Sequence, residues 1–288
     1  MGKEYIKKLA VFSIIATSVL ALNLNRANAE WKYDMDTGWH YEKEDSYTTE
    51  VEKTKFSELI KNSIGQEILK NISVQNSSFN IYNLSSDLDI SSLNYVIQDE
   101  IDKLKITNPY EMLNLEDYNV SISGDSSGKI DIGIYCTYRM TRAMANELDA
   151  RVRSIVANIA PDNMSQAEKE RAIHDWIINN TRYDQSHTIY DPYNTLIKHV
   201  GVCEGYSLLA QKMFTVAGIK SMIIEGVAGG ESHSWNMVYI DNKWHHVDCT
   251  WDDPISSNDI LQYNYYNLTD SKIALDHSWN VNNYPRAN

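Results

Sequence analysis

Two runs flanking Asp241-Asn242 constrain the fold more tightly than anything else in this chain. Ser232–Ile240 and Lys243–Trp251 both read as strands rich in aromatic and β-branched residues, and Asp-Asn between them suits a two-residue hairpin turn. Such a turn sets the register: Ile240 faces Lys243, so Trp235 lies opposite Asp248 and His233 opposite Thr250. His233 and Asp248 then share one sheet face as diagonal neighbours about 7–8 Å apart at the backbone, a gap an imidazole and a carboxylate can close. A slip of one residue would send them to opposite faces.

Upstream, Cys203–Ala217 is apolar at Leu208, Leu209, Met213, Phe214 and Val216, with Gly218 placed to end a helix. Cys203 falls in its first turn, where the helix terminus favours a thiolate. Gly201 and Gly205 leave room beside it for a substrate backbone, and Gly201 suits a tight turn into the helix. A buried cysteine at a helix start is the plainer reading, but it leaves the glycines and the downstream partners unexplained. A thiol, an imidazole and a carboxylate are the parts of an activated cysteine nucleophile. In those roles His233 takes the thiol proton and returns it to the leaving amine, while Asp248 fixes the ring's tautomer.

The remaining histidines compete less well. His245 and His246 are adjacent on a strand and point to opposite faces, so they cannot hold one ion. His187 and His199 lie in the segment leading to Cys203 and are expected to border the cleft. His174, on a helix, reads as a surface or cap residue, and Asp276-His277-Ser278-Trp279-Asn280 as a packing or capping feature. Asp252-Asp253-Pro254 reads as a turn, without calcium-loop spacing.

The N-terminus reads as a signal peptide over residues 1–29. Lys3, Lys7 and Lys8 precede an apolar run from Leu9 to Leu24, and Ala27-Asn28-Ala29 offers small residues for cleavage. The run is short for a membrane span of ~20 residues, so a secreted or cell-surface protein without stable membrane insertion is expected, an uncleaved anchor being the alternative. The net charge of −13 becomes more negative once that segment is removed and argues against nucleic acid as a partner. Cys136, Cys203 and Cys249 are too few for a disulfide framework; Cys136 and Cys249 read as small buried residues.

Residues 30–55 read as a linker or short hairpin and 56–140 as a small α/β domain. In the latter, Phe56, Leu59, Ile60, Ile64 and Ile68 mark one helix, and Leu93, Val96, Ile97, Ile101 and Leu104 a second. The strict alternation from Ile130 to Met140 marks a strand, joined through Gly124–Gly128 to another over Tyr118–Ser123. Residues 141–288 form the domain with the chemistry. It starts with a helix through Met144, Leu148, Val152, Ile155 and Ile159 that Pro161 ends. A capping box, Ser165 with Glu168, opens the next, which turns Ile173, Trp176 and Ile177 inward.

Gly-Val-Cys-Glu-Gly-Tyr at 201–206, His-Ser-Trp-Asn at 233–236 and Val-Asp-Cys-Thr-Trp-Asp-Asp-Pro at 247–254 resemble, in this order, the three core motifs of the transglutaminase-like superfamily, and within it bacterial exported members. The segment from Tyr263 to Trp279 also resembles how such domains close. The resemblance implies an α+β, papain-like core with the cysteine helix packed on an antiparallel sheet, preceded here by the small α/β domain. It implies Cys203 as nucleophile, His233 as base and Asp248 as orienting carboxylate. Tyr190, Tyr193 and the Cys203 backbone N–H are candidates for stabilising an oxyanion, and Trp235 for lining the cleft. No cofactor or metal is implied. The expected activity is on peptide or protein amides through a Cys203 thioester, by hydrolysis or transamidation, with extracellular protein or cell-wall peptide as substrate. A non-catalytic peptide-binding module and, more weakly, a zinc site built from Cys203, His233 and Asp248 are the competing readings.

Overall fold

The structure is a computed structural model that describes residues 29–34, 38–43, 58–84, 90–124, 129–255 and 260–288. The expected signal peptide, apart from Ala29, lies outside the described residues, as do Phe56 and positions 125–128 of the expected Gly124–Gly128 turn. Among the described residues no helix is long and apolar enough to cross a membrane. Strands β1 (Ala29–Asp34) and β2 (Gly38–Lys43) pair antiparallel, with Trp31 opposite Tyr41.

The described residues divide into two compact units, one from residues 58–102 and 115–139 and one from 29–43, 103–114 and 140–288. The first contains α1 (Glu58–Ser73), β3 (Ser78–Leu84) and most of α2 (Ile90–Thr107). After the short α3 (Pro109–Leu113), which belongs to the second unit, it adds β4 (Leu115–Gly124) and β5 (Ile130–Tyr138). The strands form an antiparallel sheet in the order β3-β5-β4. The period of two in β5 buries Ile130, Ile132, Ile134 and Cys136 on one face, while the four-residue spacing of Ile64, Ile68 and Ile72 gives α1 a buried stripe. Burial pushes the Cys136 thiol up, as expected of a structural cysteine.

The second unit runs α4 (Arg142–Ile159), α5 (Gln166–Asn180), β6 (Arg182–Tyr183), α6 (Pro192–Lys198), β7 (Val200–Gly201), α7 (Cys203–Val216), β8 (Lys220–Ala228), β9 (Glu231–Ile240), β10 (Lys243–Val247), α8 (Asp270–Ile273) and β11 (His277–Trp279). Thr141 caps α4 by accepting a hydrogen bond from Met144 N, and Ser165 and Glu168 form the expected capping box on α5. Four antiparallel strands in the order β10-β9-β8-β11 make its sheet. One core cluster holds Leu148, Val152, Ile173, Ile177, Leu209, Met213, Phe214 and Val238, so α4 and α5 pack on α7 and α7 on the sheet. Each such side chain contributes roughly 1.5–3 kcal/mol by its burial. A second cluster joins Met222, Ile224, Trp235, Met237 and Trp244 to Ile273 and Tyr284. The result is the mixed arrangement of helices and antiparallel sheet expected for a papain-like core.

The hairpin register agrees with expectation: Ile240 faces Lys243 and Asn236 faces Val247. Asp241 and Asn242 have φ of 51° and 62°, the two left-handed positions of a type I′ turn. The second strand is shorter than expected, ending at Val247. There Asp248 N leaves the ladder and donates to Tyr265 O (3.0 Å), turning the chain into Asp248–Asp253.

Candidate active site

Cys203 is the first residue of α7, after the extended Val202, and it is half-buried. Its backbone N–H has no partner within its own helix. Gly201 and Gly205 do not make room for a substrate, contrary to the sequence reading. A Cβ on either would run into the side chain of Thr195, which is fully buried on α6 and donates to Asp191 O. The glycines let α6 and the first turn of α7 close on each other. Gly201 makes no tight turn; it lies in β7, paired in parallel with Tyr183 of β6.

His233 on β9 meets Asp248, one residue past the end of β10: Nε2 donates to Asp248 Oδ2 at 2.6 Å. That leaves Nδ1 as the ring nitrogen open to the Cys203 sulfur, which lies near enough to His233 to favour its charged form. Burial is the largest influence on the ring and opposes its charge. The Asp248 carboxylate, its hydrogen bond and the sulfur outweigh it and push His233 up to about 10. Asp248 is itself fully buried, which favours the neutral acid, yet the charges and hydrogen bonds of His233 and His277 hold it well below the usual carboxylate range. Its other oxygen, Oδ1, accepts from Thr250 N (2.9 Å) and Trp251 N (3.2 Å), so the turn after β10 clamps the carboxylate.

Two histidines set aside by sequence reasoning are part of this structure. His277, read as a packing or capping feature, is 2% exposed on β11 and its Nε2 lies 3.1 Å from the same Asp248 Oδ2. Its Nδ1 lies 2.6 Å from Asp276 Oδ1, and Asp276 Oδ2 accepts from Tyr265 OH. The Asp-His-Ser-Trp-Asn string echoing the His233 segment was the signal that could have found it. His174, read as a surface or cap residue, is fully buried and bridges Asp175 and Asp252. Asp252 also accepts from Tyr265 N, so this bridge braces the Asp248–Asp253 turn from behind. Nearby, burial, which exceeds the opposing hydrogen bonds of Asn267 and Tyr266, pushes Glu170 up to about 7. Glu170 Oε1 and Asn267 Oδ1 are both buried without a hydrogen-bond partner.

Of the remaining candidates, Trp235 does not line a cleft. It is 1% exposed and stacks on His233 from the core side (centroids 5.9 Å apart, planes 17°), with Nε1 donating to His246 Nδ1. Tyr193 is directed elsewhere, its hydroxyl donating to Glu147 Oε2 on α4. Tyr190 is 37% exposed and close enough to Tyr183 to influence its phenol. Tyr183 is the aromatic that sequence reasoning missed. It lines, with Glu231, His233, Thr250, Trp251 and Asp253, a cavity of about 350 Å³, and burial followed by the nearby Cys203 sulfur pushes its phenol up to about 12. It therefore remains an O–H donor beside the thiol throughout the neutral range.

Among the described residues, His233, Asp248 and His277 are the group whose ligand atoms cluster, all within 4.8 Å. The zinc reading built on Cys203, His233 and Asp248 does not match that set. Two ring nitrogens converge on one carboxylate oxygen at hydrogen-bond distance, which is the geometry of a proton network.

Residues 153–249 match the transglutaminase-like superfamily. Kyphoscoliosis peptidase of Homo sapiens is 28% identical over 145 residues, covering 42% of this chain and 22% of that protein. The Mus musculus protein of the same name is 27% identical over 148 residues, covering 43% and 22%. The chain thus spans less than a quarter of these curated relatives. A solved structure described as a TGase aligns at 18% identity and a TM-score of 0.35, covering 66% of this chain and 54% of that one.

Proposed function

We propose that this member of the transglutaminase-like superfamily is a thiol enzyme that cleaves peptide or protein amides through a thioester on Cys203. The observation that carries the reading is the 2.6 Å contact of His233 Nε2 with Asp248, which leaves Nδ1 open to the nearby Cys203 sulfur at the start of its helix. In the forward step Sγ bonds to the carbonyl carbon, and the proton it gave to His233 passes to the departing amine nitrogen as the C–N bond breaks. Water then attacks the thioester, gives its proton to His233 and releases the acid, and the proton returns to Sγ. The Cys203 backbone N–H and the Tyr183 hydroxyl are the donors we assign to the oxyanion, supported by the place of Tyr183 in the cavity wall beside His233. Glu231 and Asp253 give the cavity beside His233 acidic walls. Hydrolysis is proposed over transamidation, and the N-terminal run of residues 1–29 supports action on extracellular protein or cell-wall peptide.

The test is acid-quenched mass spectrometry of the protein with a panel of amide-bearing peptides, alone and with an added primary amine. The expected result is an acyl adduct on the Cys203 peptide, release of acid product, little transfer to the amine, and none of this in Cys203→Ala. Transfer dominating over hydrolysis would make the protein a transamidase. Absence of any adduct, with peptides still retained by Cys203→Ala, would make it a binding module.

A further inference from the structure

Asp248 serves two imidazoles, and the mechanism above uses only one. Oδ2 receives His233 Nε2 at 2.6 Å and His277 Nε2 at 3.1 Å, while Oδ1 is held by two backbone N–H groups. His277 is enclosed: Trp251 and Trp235 lie 4.6 and 5.0 Å from its ring, Tyr265 5.4 Å and His233 5.5 Å. The charged or titratable groups facing it are Asp248 and His233, Asp276 and Tyr265, and His246 of β10 on the far side of Trp235. His246 accepts from Trp235 and donates to Asp270, with burial as the main cause of its lowered value, so it presents no donor to this cluster. Each nitrogen of His277 faces a carboxylate oxygen. Nε2 is thereby in position to donate to Asp248 Oδ2, and Nδ1 lies against Asp276 Oδ1.

We infer that His277 is a positioning residue of the thiol site: held by Asp276, it donates Nε2–H to Asp248 Oδ2 and so limits how strongly that carboxylate draws on His233. This rests on the proposed thiol mechanism and extends the relay to Cys203–His233–Asp248–His277–Asp276. The chemical consequence concerns leaving-group protonation. His233 must hold a proton against the sulfur and then yield it to an amine, and an Asp248 serving His233 alone would bind that proton too tightly. The relay also explains why a three-residue strand is added beside β8. Pairing His277 with Ala228 and Trp279 with Gly226 brings the ring under the carboxylate, and a Cβ on Gly226 would collide with Ser278 O.

The experiment uses the full chain with ¹³C-labelled histidine, following ring titration by NMR, the His233 signal being assigned by its loss in His233→Gln. Iodoacetamide alkylation of Cys203 against pH is measured alongside. His277→Phe keeps the ring's shape without donors, His277→Gln places an amide N–H near the Nε2 position, and His277→Asn places one near Nδ1 only. The expected result is an upward move of about one pH unit in the His233 midpoint for His277→Phe and His277→Asn, with the upper step of the alkylation profile following it. His277→Gln stays near wild type. A merely structural role would lower thermal stability and leave the midpoints unmoved. If His277→Phe does not fold, the Gln and Asn pair carries the comparison. Equal midpoints across the variants, or a downward move, overturn the inference. A wild-type Cys203 that reacts as a free thiol while His233 titrates at its ordinary value would instead overturn the thiol mechanism itself.

Discussion

Replacing Asp248 by Asn tests the electrostatic core of the site. In the folded protein His233 holds its proton to about 10 against 6.5 for the free side chain, and at roughly 1.4 kcal/mol per pH unit this is on the order of 5 kcal/mol in favour of the charged ring. The ring's folded value is raised, so this stabilisation is full below about pH 6.5 and is lost as pH rises through about 10. Asp248 behaves in the opposite sense: its value is depressed, so its contribution is present above about 3.9 and is lost as the solution is acidified. An asparagine would keep its carbonyl on Thr250 N and Trp251 N, which forces the amide NH₂ toward the donors His233 Nε2 and His277 Nε2. His233 would then shed the Nε2 proton and carry one on Nδ1 facing the sulfur, the wrong tautomer for a base. With burial opposed only by the sulfur, its midpoint should fall by about three pH units, towards the free value. Turnover should drop about 10⁴-fold, as when a triad carboxylate becomes an amide. Histidine NMR titration reads the midpoint directly, and single-turnover acylation reads the rate. A variant that retains a His233 midpoint near 10, or loses less than about tenfold in acylation, would refute the assignment of Asp248 as the partner that charges the ring.

Three further outcomes follow from the structure. Native alkylation should label Cys203 alone, with Cys136 and Cys249 labelled only after denaturation, because burial is the first cause raising both of the latter; peptide mass spectrometry checks this. Glu170→Gln should stabilise the protein at pH 8 by up to about 3 kcal/mol and have little effect at pH 4, measured by urea unfolding. Burial raises this carboxyl from 4.5 to about 7, so folding is disfavoured progressively as pH climbs between those values. Gly226→Ala should cost about 1–3 kcal/mol in the same assay, since its Cβ would press on Ser278 O and the Trp235 ring, and should slow acylation by displacing β11.

What could be read from sequence was whatever a few adjacent residues settle among themselves. The Asp241-Asn242 turn set the β9–β10 register because its two left-handed residues match the twist of the strands they join, and that register delivers Asp248, one residue past β10, to the neighbourhood of His233. The Ser165 capping box, the alternation along β5 and the place of Cys203 at a helix start are equally local, resting on periods of 2 and 3.6 and on unpaired N–H groups. Only the tertiary structure decided what lies behind those elements. His277 reaches Asp248 from 29 positions away because β11 adds beside β8, and His174 reaches Asp252 from 78 positions away because α5 packs on α7. Gly201 and Gly205 looked like clearance for a substrate until α6 was seen to seat Thr195 against them. Trp235 and Tyr183 differ in the same way: one aromatic forms the floor under His233 and the other borders the cavity beside it. Turns, caps and strand faces are determined by sterics and hydrogen bonds within a few residues. Which distant side chains share one carboxylate depends on strand order and helix packing, and these belong to the whole core rather than to any single segment.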